Sequence, residues 1–234
     1  MELKNKNIII TGASLGIGKT LALDLLDKSS NLIVTGRSID RLNKVFKKTN
    51  ANIVSFDIGD VDNIEKYAQK CWDIFNGKVD VLINNAGIGV HKPLEELNIN
   101  DFLEVYKVNV FGLSLFTKHI VSSMKNNRNG TIINIGSTAS LKGYKNGSVY
   151  ASSKFALRCL TQCWQSELRP FNIRVCQINP SEVTTAFGNI NREERPEVEN
   201  KLSSREISHA IISALKMDNR GFINELNVWA TNPF

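Results

Sequence analysis

Tyr150 and Lys154 stand four residues apart at the head of a segment with helical period, so both side chains project from one helix face. An ammonium beside a phenol favours the phenolate and should lower the tyrosine pKa from about 10, which makes the phenol a usable general acid near neutral pH. Taken alone such a pair is weak evidence and gains force only from its surroundings. Ser137 lies thirteen residues earlier, directly after an apolar run. Its hydroxyl could hydrogen-bond a substrate carbonyl oxygen, or simply serve a turn among Gly136, Thr138 and Ser140.

A second group of residues suits a dinucleotide. Thr11-Gly12-Ala13-Ser14-Leu15-Gly16-Ile17-Gly18 joins a first apolar run to a first helical segment. Gly12 permits a tight turn, Gly16 a close backbone approach to a pyrophosphate, and Gly18 close packing of helix on strand. The helix N-terminus beyond offers unpaired N–H groups and a partial positive charge. The spacing is GxxxGxG rather than the commoner GxGxxG. Gly18-Lys19-Thr20 approaches the end of a P-loop, but Gly12 to Gly18 is one residue too far, so a nucleotide triphosphatase is a poor second. Arg37 follows the second apolar run, where an adenosine ribose should lie. The position of the acid that would hold a ribose 2′-hydroxyl is Gly36, and an arginine suits a 2′-phosphate. The alternative is a solvated arginine opening a helix. Asp57, after the third run, could accept from an adenine amino group or cap a helix together with Asp60.

These residues must be positioned by alternating elements. Strands are expected at Asn7–Thr11, Leu32–Thr35, Asn52–Phe56, Val79–Ile83, Thr131–Ile135, Ile173–Ile178 and Phe222–Val228, with helices near 16–29, 38–48, 61–75, 100–126, 149–169 and 204–217. The strands are continuous Ile/Val runs, as in strands buried on both faces. Six alternations predict an α/β, Rossmann-type doubly wound fold with a seven-stranded, mostly parallel sheet and helices on both faces. Ligands of such sheets bind beyond the carboxyl ends of the strands. The residues after the first six runs are all small, polar or turn-forming: Gly12–Gly18, Gly36-Arg37-Ser38, Asp57, Asn84-Asn85-Ala86-Gly87, Gly136-Ser137-Thr138 and Asn179-Pro180-Ser181.

Taken together, Thr11–Gly18, Asn84–Gly87, Asn109, Ser137, Tyr150-Ala151-Ser152-Ser153-Lys154 and Asn179–Thr185 resemble the motifs of the short-chain dehydrogenase/reductase family over essentially the whole chain. The resemblance implies a catalytic set of Asn109, Ser137, Tyr150 and Lys154. The serine orients the carbonyl, the tyrosine exchanges the proton, the lysine binds the nicotinamide ribose and acidifies the tyrosine, and Asn109 holds a water of the proton relay. It also implies cofactor contacts at Gly12, Ser14, Gly16, Ile17, Gly18, Arg37, Asp57, Ile58, Asn85, Ala86, Gly87, Tyr150, Lys154, Pro180, Val183 and Thr185, with Asn85-Ala86-Gly87 against the adenosine and Val183 and Thr185 at the carboxamide end. Ser181 departs from the usual glycine after Pro180. Leu15 takes the place of a second basic residue, so phosphate preference rests on Arg37. Pro180-Ser181 and the ending Val228–Pro233 look most like 3-oxoacyl-[acyl-carrier-protein] reductase-like members. Arg128 resembles a basic position that docks an acidic carrier, though a helix-terminal cation is an equal alternative. The charged, poorly amphipathic stretch near 186–205 resembles a substrate lid, against the alternative of a solvated loop. Helix 149–169 is apolar around much of its circumference, and family members pair it across a two-fold axis, which implies a homo-oligomer, a tetramer or a dimer.

Composition excludes other classes. The chain has 234 residues, is 42% hydrophobic and 22% charged, and carries 29 Lys and Arg against 23 Asp and Glu, a net +6. These values fit one globular domain over 1–234 and exclude disordered or disulfide-stapled chains. The lysines are scattered, without aromatic interleaving, so nucleic acid is not expected as a partner. Cys71, Cys159, Cys163 and Cys176 include no CxxC pair, so no metal site is expected and the thiols read as reduced and mostly buried. No apolar run is long enough to span a membrane and no targeting segment is evident, so the expected location is cytoplasmic. The expected function is an NADPH-dependent carbonyl reductase acting on a small ketone, aldehyde or 3-oxoacyl thioester. The competing readings are an NAD-dependent alcohol dehydrogenase and a non-catalytic dinucleotide sensor on the same fold.

Overall fold

The computed structural model describes residues 2–189 and 191–233. Seven strands form one sheet: β1 (Asn7–Ile10), β2 (Asn31–Gly36), β3 (Asn52–Ser55), β4 (Val81–Asn84), β5 (Gly130–Ile135), β6 (Ile173–Pro180) and β7 (Glu225–Val228). Their order is β3-β2-β1-β4-β5-β6-β7, and every pairing is parallel. The chain runs outward from β1 to β3 and returns to start β4 on the other side of β1. The switch point therefore lies between β1 and β4, where an open α/β sheet forms a crevice.

The helices are α1 (Gly16–Leu26), α2 (Ile39–Phe46), α3 (Ile64–Ile74), α4 (Ile99–Tyr106), α5 (Leu113–Asn126), α6 (Ser148–Leu168) and α7 (Ser204–Lys216). Strand alternation divides the core between the two faces of the sheet. Ile8 and Ile10 pack with Leu21 and Leu25 of α1, Phe46 of α2 and Ile211 of α7. Ile9 points the other way, to Ala68 of α3, Val105 of α4, Phe116 of α5 and Leu168 of α6. Side-chain caps start α2 (Ser38), α4 (Asn98 with Asp101) and α7 (Ser203 with Glu206). At α1 the N-cap is Leu15, which supplies no side-chain bond; the Gly16 N–H at the head of that helix donates instead to the Glu194 carboxylate at 2.8 Å, beside the switch point.

The expected elements are present with shifted ends, and one differs in kind. The single helix expected over 100–126 is interrupted by a π-helical turn at Lys107–Gly112. A Cβ on Gly112 would collide with the Ile58 carbonyl, so main chain lies against main chain there. The helix accommodates this approach by widening for one turn. The cysteines also differ from expectation: Cys71 and Cys176 are buried, whereas Cys159 and Cys163 are exposed on α6. Among the described residues no helix is long and apolar enough to cross a membrane.

Candidate active site

The turn after β1 is held by its neighbour in the sheet. Gly12 has φ +67°, and a Cβ there would stand 2.8 Å from Ala86 Cα. Asn85 Nδ2 donates to the Thr11 and Gly12 carbonyls, both at 3.0 Å, while the Asn85 and Ala86 N–H groups donate to Thr11 Oγ1 at 3.1 Å. The Asn85 side chain is thus committed to shaping the turn, which leaves Ala86 and Gly87 to face the cavity. Gly18 packs against the same Asn85 amide and the Gly12 carbonyl. Gly16 has φ +54°, and a Cβ there would stand 3.1 Å from Thr185 Cβ of the loop after β6.

One cavity of about 940 Å³ follows the carboxyl ends of the strands. Gly12, Ser14, Gly16, Ile17, Arg37, Asp57, Ile58, Asn85, Ala86, Gly87, Ser137, Tyr150, Lys154, Pro180, Val183 and Thr185 all line it. Gly18 and Asn109 lie behind its wall. Asn109, buried in the π-helical turn, accepts from Ile88 N–H at 3.0 Å and donates to the Ile88 carbonyl (2.9 Å) and Ser153 Oγ (3.0 Å). Its amide therefore fixes the loop after β4.

At one end of the cavity Ser137 caps a 3₁₀ turn, Thr138–Ser140. Its Oγ accepts from Ala139 N–H at 3.1 Å, and its own N–H donates to Ser140 Oγ and Asn179 Oδ1, both at 3.3 Å. The Ser137 hydroxyl also lies close enough to the Tyr150 phenol to favour its anion. Lys154 is buried at the cavity floor, its Nζ donating to the Ile135 carbonyl at 2.8 Å and lying 5.8 Å from the Tyr150 ring centre. A Cβ on Gly87 would meet Lys154 Nζ at 3.7 Å and Asn109 Oδ1 at 3.4 Å, so that glycine keeps the ammonium accessible from the cavity.

The electrostatics correct one expectation. Burial pushes the Tyr150 phenol up to about 12, and the nearby Ser137 hydroxyl only partly opposes this. Burial likewise brings the Lys154 ammonium down to about 8. Desolvation outweighs the expected lowering of the phenol because the ammonium is directed at the Ile135 carbonyl rather than at the phenol oxygen.

The wall beside Tyr150 is aromatic. His91 Nδ1 is 3.1 Å from Tyr144 Oη, and the His91 and Phe187 rings each lie 5.5 Å from the Tyr150 ring. Burial holds His91 below its ordinary value and Tyr144 above. At the opposite end Arg37 pairs with Asp57 at 3.6 Å. Asp57 Oδ1 also accepts from Gly59 N–H at 2.8 Å, so it closes its own turn and is not a helix cap shared with Asp60. The charged stretch after β6 is tied down by Glu194, which accepts from Gly16 N–H (2.8 Å), Lys19 Nζ (3.0 Å) and Ala186 N–H (3.2 Å). Arg195 donates to the Thr185 and Val183 carbonyls at 2.9 and 2.8 Å.

Sequence reasoning missed Arg41 and Trp229, which also line the cavity. It missed as well a chain of buried amides beneath the site. Asn84 donates to Thr117 and to Asn134, Asn134 to Thr161, Gln177 to Asn179, and Asn179 to Asn227. The signal was available, since an asparagine at the last or next-to-last position of an apolar strand occurs at Asn84, Asn134 and Asn179 alike.

The short chain dehydrogenase family model matches residues 6–196. A Staphylococcus saprophyticus protein described as an uncharacterized oxidoreductase is 31% identical, the match covering 97% of this chain and 98% of that one. An NADP-dependent 3-hydroxy acid dehydrogenase of Schizosaccharomyces pombe is 32% identical over 80% of this chain and 74% of its own length. An alcohol dehydrogenase of Thermococcus sibiricus, solved with 5-hydroxy-NADP, superposes with a TM-score of 0.88 at 30% identity, over 97% of each chain. A glycine turn at the switch point, a phenol, hydroxyl and ammonium at the far end of the same cavity, and these likenesses agree: the chain belongs to the short-chain dehydrogenase family and is an NAD(P)-dependent oxidoreductase.

Proposed function

We propose that this protein reduces a small carbonyl compound with NADPH. The observation that carries the reading is the convergence of Ser137, Tyr150 and Lys154 on one cavity, with Lys154 Nζ 5.8 Å from the Tyr150 ring centre. The residues fit the cofactor. Backbone N–H groups of the first turn of α1 beyond Gly16, whose own N–H already donates to the Glu194 carboxylate, suit a diphosphate, Arg37 and Arg41 suit a 2′-phosphate, and the position before Arg37 is Gly36, with no carboxylate for a ribose hydroxyl.

Bound NADPH supplies the hydride that adds to the carbonyl carbon. As the C=O π pair moves to oxygen, the Ser137 hydroxyl donates to that oxygen and the Tyr150 phenol releases its proton to it, giving the alcohol. A phenol raised to about 12 is protonated throughout the neutral range, so it is ready to act as an acid. Its lost proton leaves a phenolate in a dry site, and the nearby Lys154 charge lowers the cost of that anion. Asn109 acts by position, holding the Ile88 loop against the floor of the site.

The substrate end combines His91, Tyr144, Phe187 and Trp229 with Lys142, an aromatic wall beside a cation. That lining suits a compact 3-oxo acid, and the named 3-hydroxy acid dehydrogenase relative supports that choice. The 3-oxoacyl thioesters implied by the sequence belong to the same chemical class. Arg128, the basic position expected to dock an acidic carrier, donates to the Pro170 carbonyl at 3.0 Å and stays exposed. The test is a panel of 3-oxo acids, simple ketones, aldehydes and 3-oxoacyl thioesters, with NADPH oxidation as the readout. Turnover of a 3-oxo acid at least tenfold above the simple ketones supports the substrate assignment; no oxidation with any member contradicts the carbonyl reductase reading.

A further inference from the structure

Residues 191–200 are exposed at every position but Arg192, which is half-buried. The backbone turns to achieve this. Arg192 has φ +55°, its N–H donates to the Asn189 carbonyl at 3.1 Å, and the Asn191 N–H donates to Asn189 Oδ1 at 2.8 Å. Glu194 and Arg195, anchored to Gly16, Lys19 and the 183–186 backbone, hold the following residues in place.

Arg192 enters the cavity at the end that Arg37 and Arg41 line. Three guanidiniums from three separate elements converge there: the loop after β2, α2, and the stretch after β6. Burial and the charges of Arg37 and Arg41 press the Arg192 pKa down, against a weaker opposing effect of Glu104. Arg37 has Asp57 at 3.6 Å, on a half-exposed pair. Among the described residues neither Arg41 nor Arg192 forms an ion pair. Like charges so gathered repel one another unless an anion joins them, and the three terminal oxygens of a phosphate dianion can accept from the planar forks of several arginines at once.

We propose that Arg192 is a specificity residue: with Arg37 and Arg41 it completes a three-arginine seat for the 2′-phosphate of NADP(H). The stretch that borders the substrate end thereby also reads the far end of the cofactor. This inference rests on the NADPH reading above and goes beyond it, since that reading needs only the residues around β2.

Calorimetric titration with adenosine 2′,5′-bisphosphate and with adenosine 5′-monophosphate tests the seat without turnover. The proteins are the wild type, Arg192→Ala and Arg192→Lys. The wild type should favour the bisphosphate more than tenfold. Arg192→Ala should lose roughly tenfold of that preference, the scale of one charge-assisted contact, with the monophosphate affinity unchanged. Arg192→Lys should keep part of it. In amide hydrogen exchange, the bisphosphate should slow residues 191–202 of the wild type, and the monophosphate should not. If Arg192→Ala keeps the wild-type preference, or weakens both nucleotides equally, the seat is overturned while the NADPH reading stands. If the wild type itself binds the two nucleotides equally, the NADPH reading fails and the seat with it.

Discussion

At the scale of single residues, Tyr150, Lys154, Ser137 and Arg37 were legible because each sits at a fixed offset within or just after a local element, and local offsets survive folding. Arg41, Trp229 and the inward turn of Arg192 were not, because each reaches the cavity through tertiary packing. The direction of the Tyr150 shift was hidden for the same reason: burial is not written in spacing. Removing the Tyr150 hydroxyl keeps the ring between His91 and Phe187, so Tyr150→Phe should cut turnover by about 10²–10⁴-fold while NADPH still binds. Arg37→Asp should reverse a wild-type preference for NADPH over NADH of about 1–3 kcal/mol, measured as dissociation constants by nucleotide fluorescence. Lys154 carries a pH signature. Its folded value of about 8 lies below the ordinary 10.5, so the unfolded chain binds more protons between those limits. Its contribution to stability therefore rises with pH from about 8 to about 10.5. Tyr150, raised from 10.0 to about 12, opposes this above pH 10, as do the buried thiols of Cys71 and Cys176 above pH 9. The clean observable is the difference in urea unfolding free energy between Lys154→Met and the wild type. It should favour the variant most below pH 8 and shrink as pH rises; a difference flat from pH 7 to 9.5 would contradict the burial argument.

At the scale of elements, continuous Ile/Val runs and helical periods marked the central strands most sharply, because a strand buried on both faces has no polar side to blur its signal, whereas the edge strands β3 and β7 are mostly part-buried or exposed. The π-helical turn at Lys107–Gly112 was not legible, since its cause is the Ile58 carbonyl, distant in sequence and pressed against Gly112. That turn positions Asn109, and through it the Ile88 loop. A methyl group at Gly112 has nowhere to go, so Gly112→Ala should cost about 1–3 kcal/mol in urea unfolding. It should also weaken NADPH binding, because Ile58 lines the cavity. Wild-type stability in this variant would show that the main chains can part without penalty.

At the scale of the molecule, strand order follows from the parallel connections, and the switch point between β1 and β4 places the cavity before any side chain is considered. What covers the outer faces was only hinted at, by the broad apolar surface of helix 149–169. Phe111 beside α5 and Phe155 on α6 are 45% and 43% exposed, and Ile99 at the head of α4 is 67% exposed. We expect these helices to be covered in a homo-oligomer, a dimer or tetramer by light scattering at micromolar concentration, with Phe155→Glu shifting the mass toward the monomer. A wild-type monomer would contradict that expectation. The claim on which the rest depends is that a carbonyl substrate receives a hydride from NADPH here, with Tyr150 giving the proton. The most direct test is to supply NADPH with both hydrogens of the hydride-donating carbon replaced by deuterium, together with a 3-oxo acid, and to examine the alcohol by mass spectrometry. The account predicts one deuterium on the former carbonyl carbon with the wild type, and at least 10²-fold slower labelling with Tyr150→Phe. Alcohol formed without deuterium, or labelled by the Phe variant within tenfold of the wild-type rate, would contradict it.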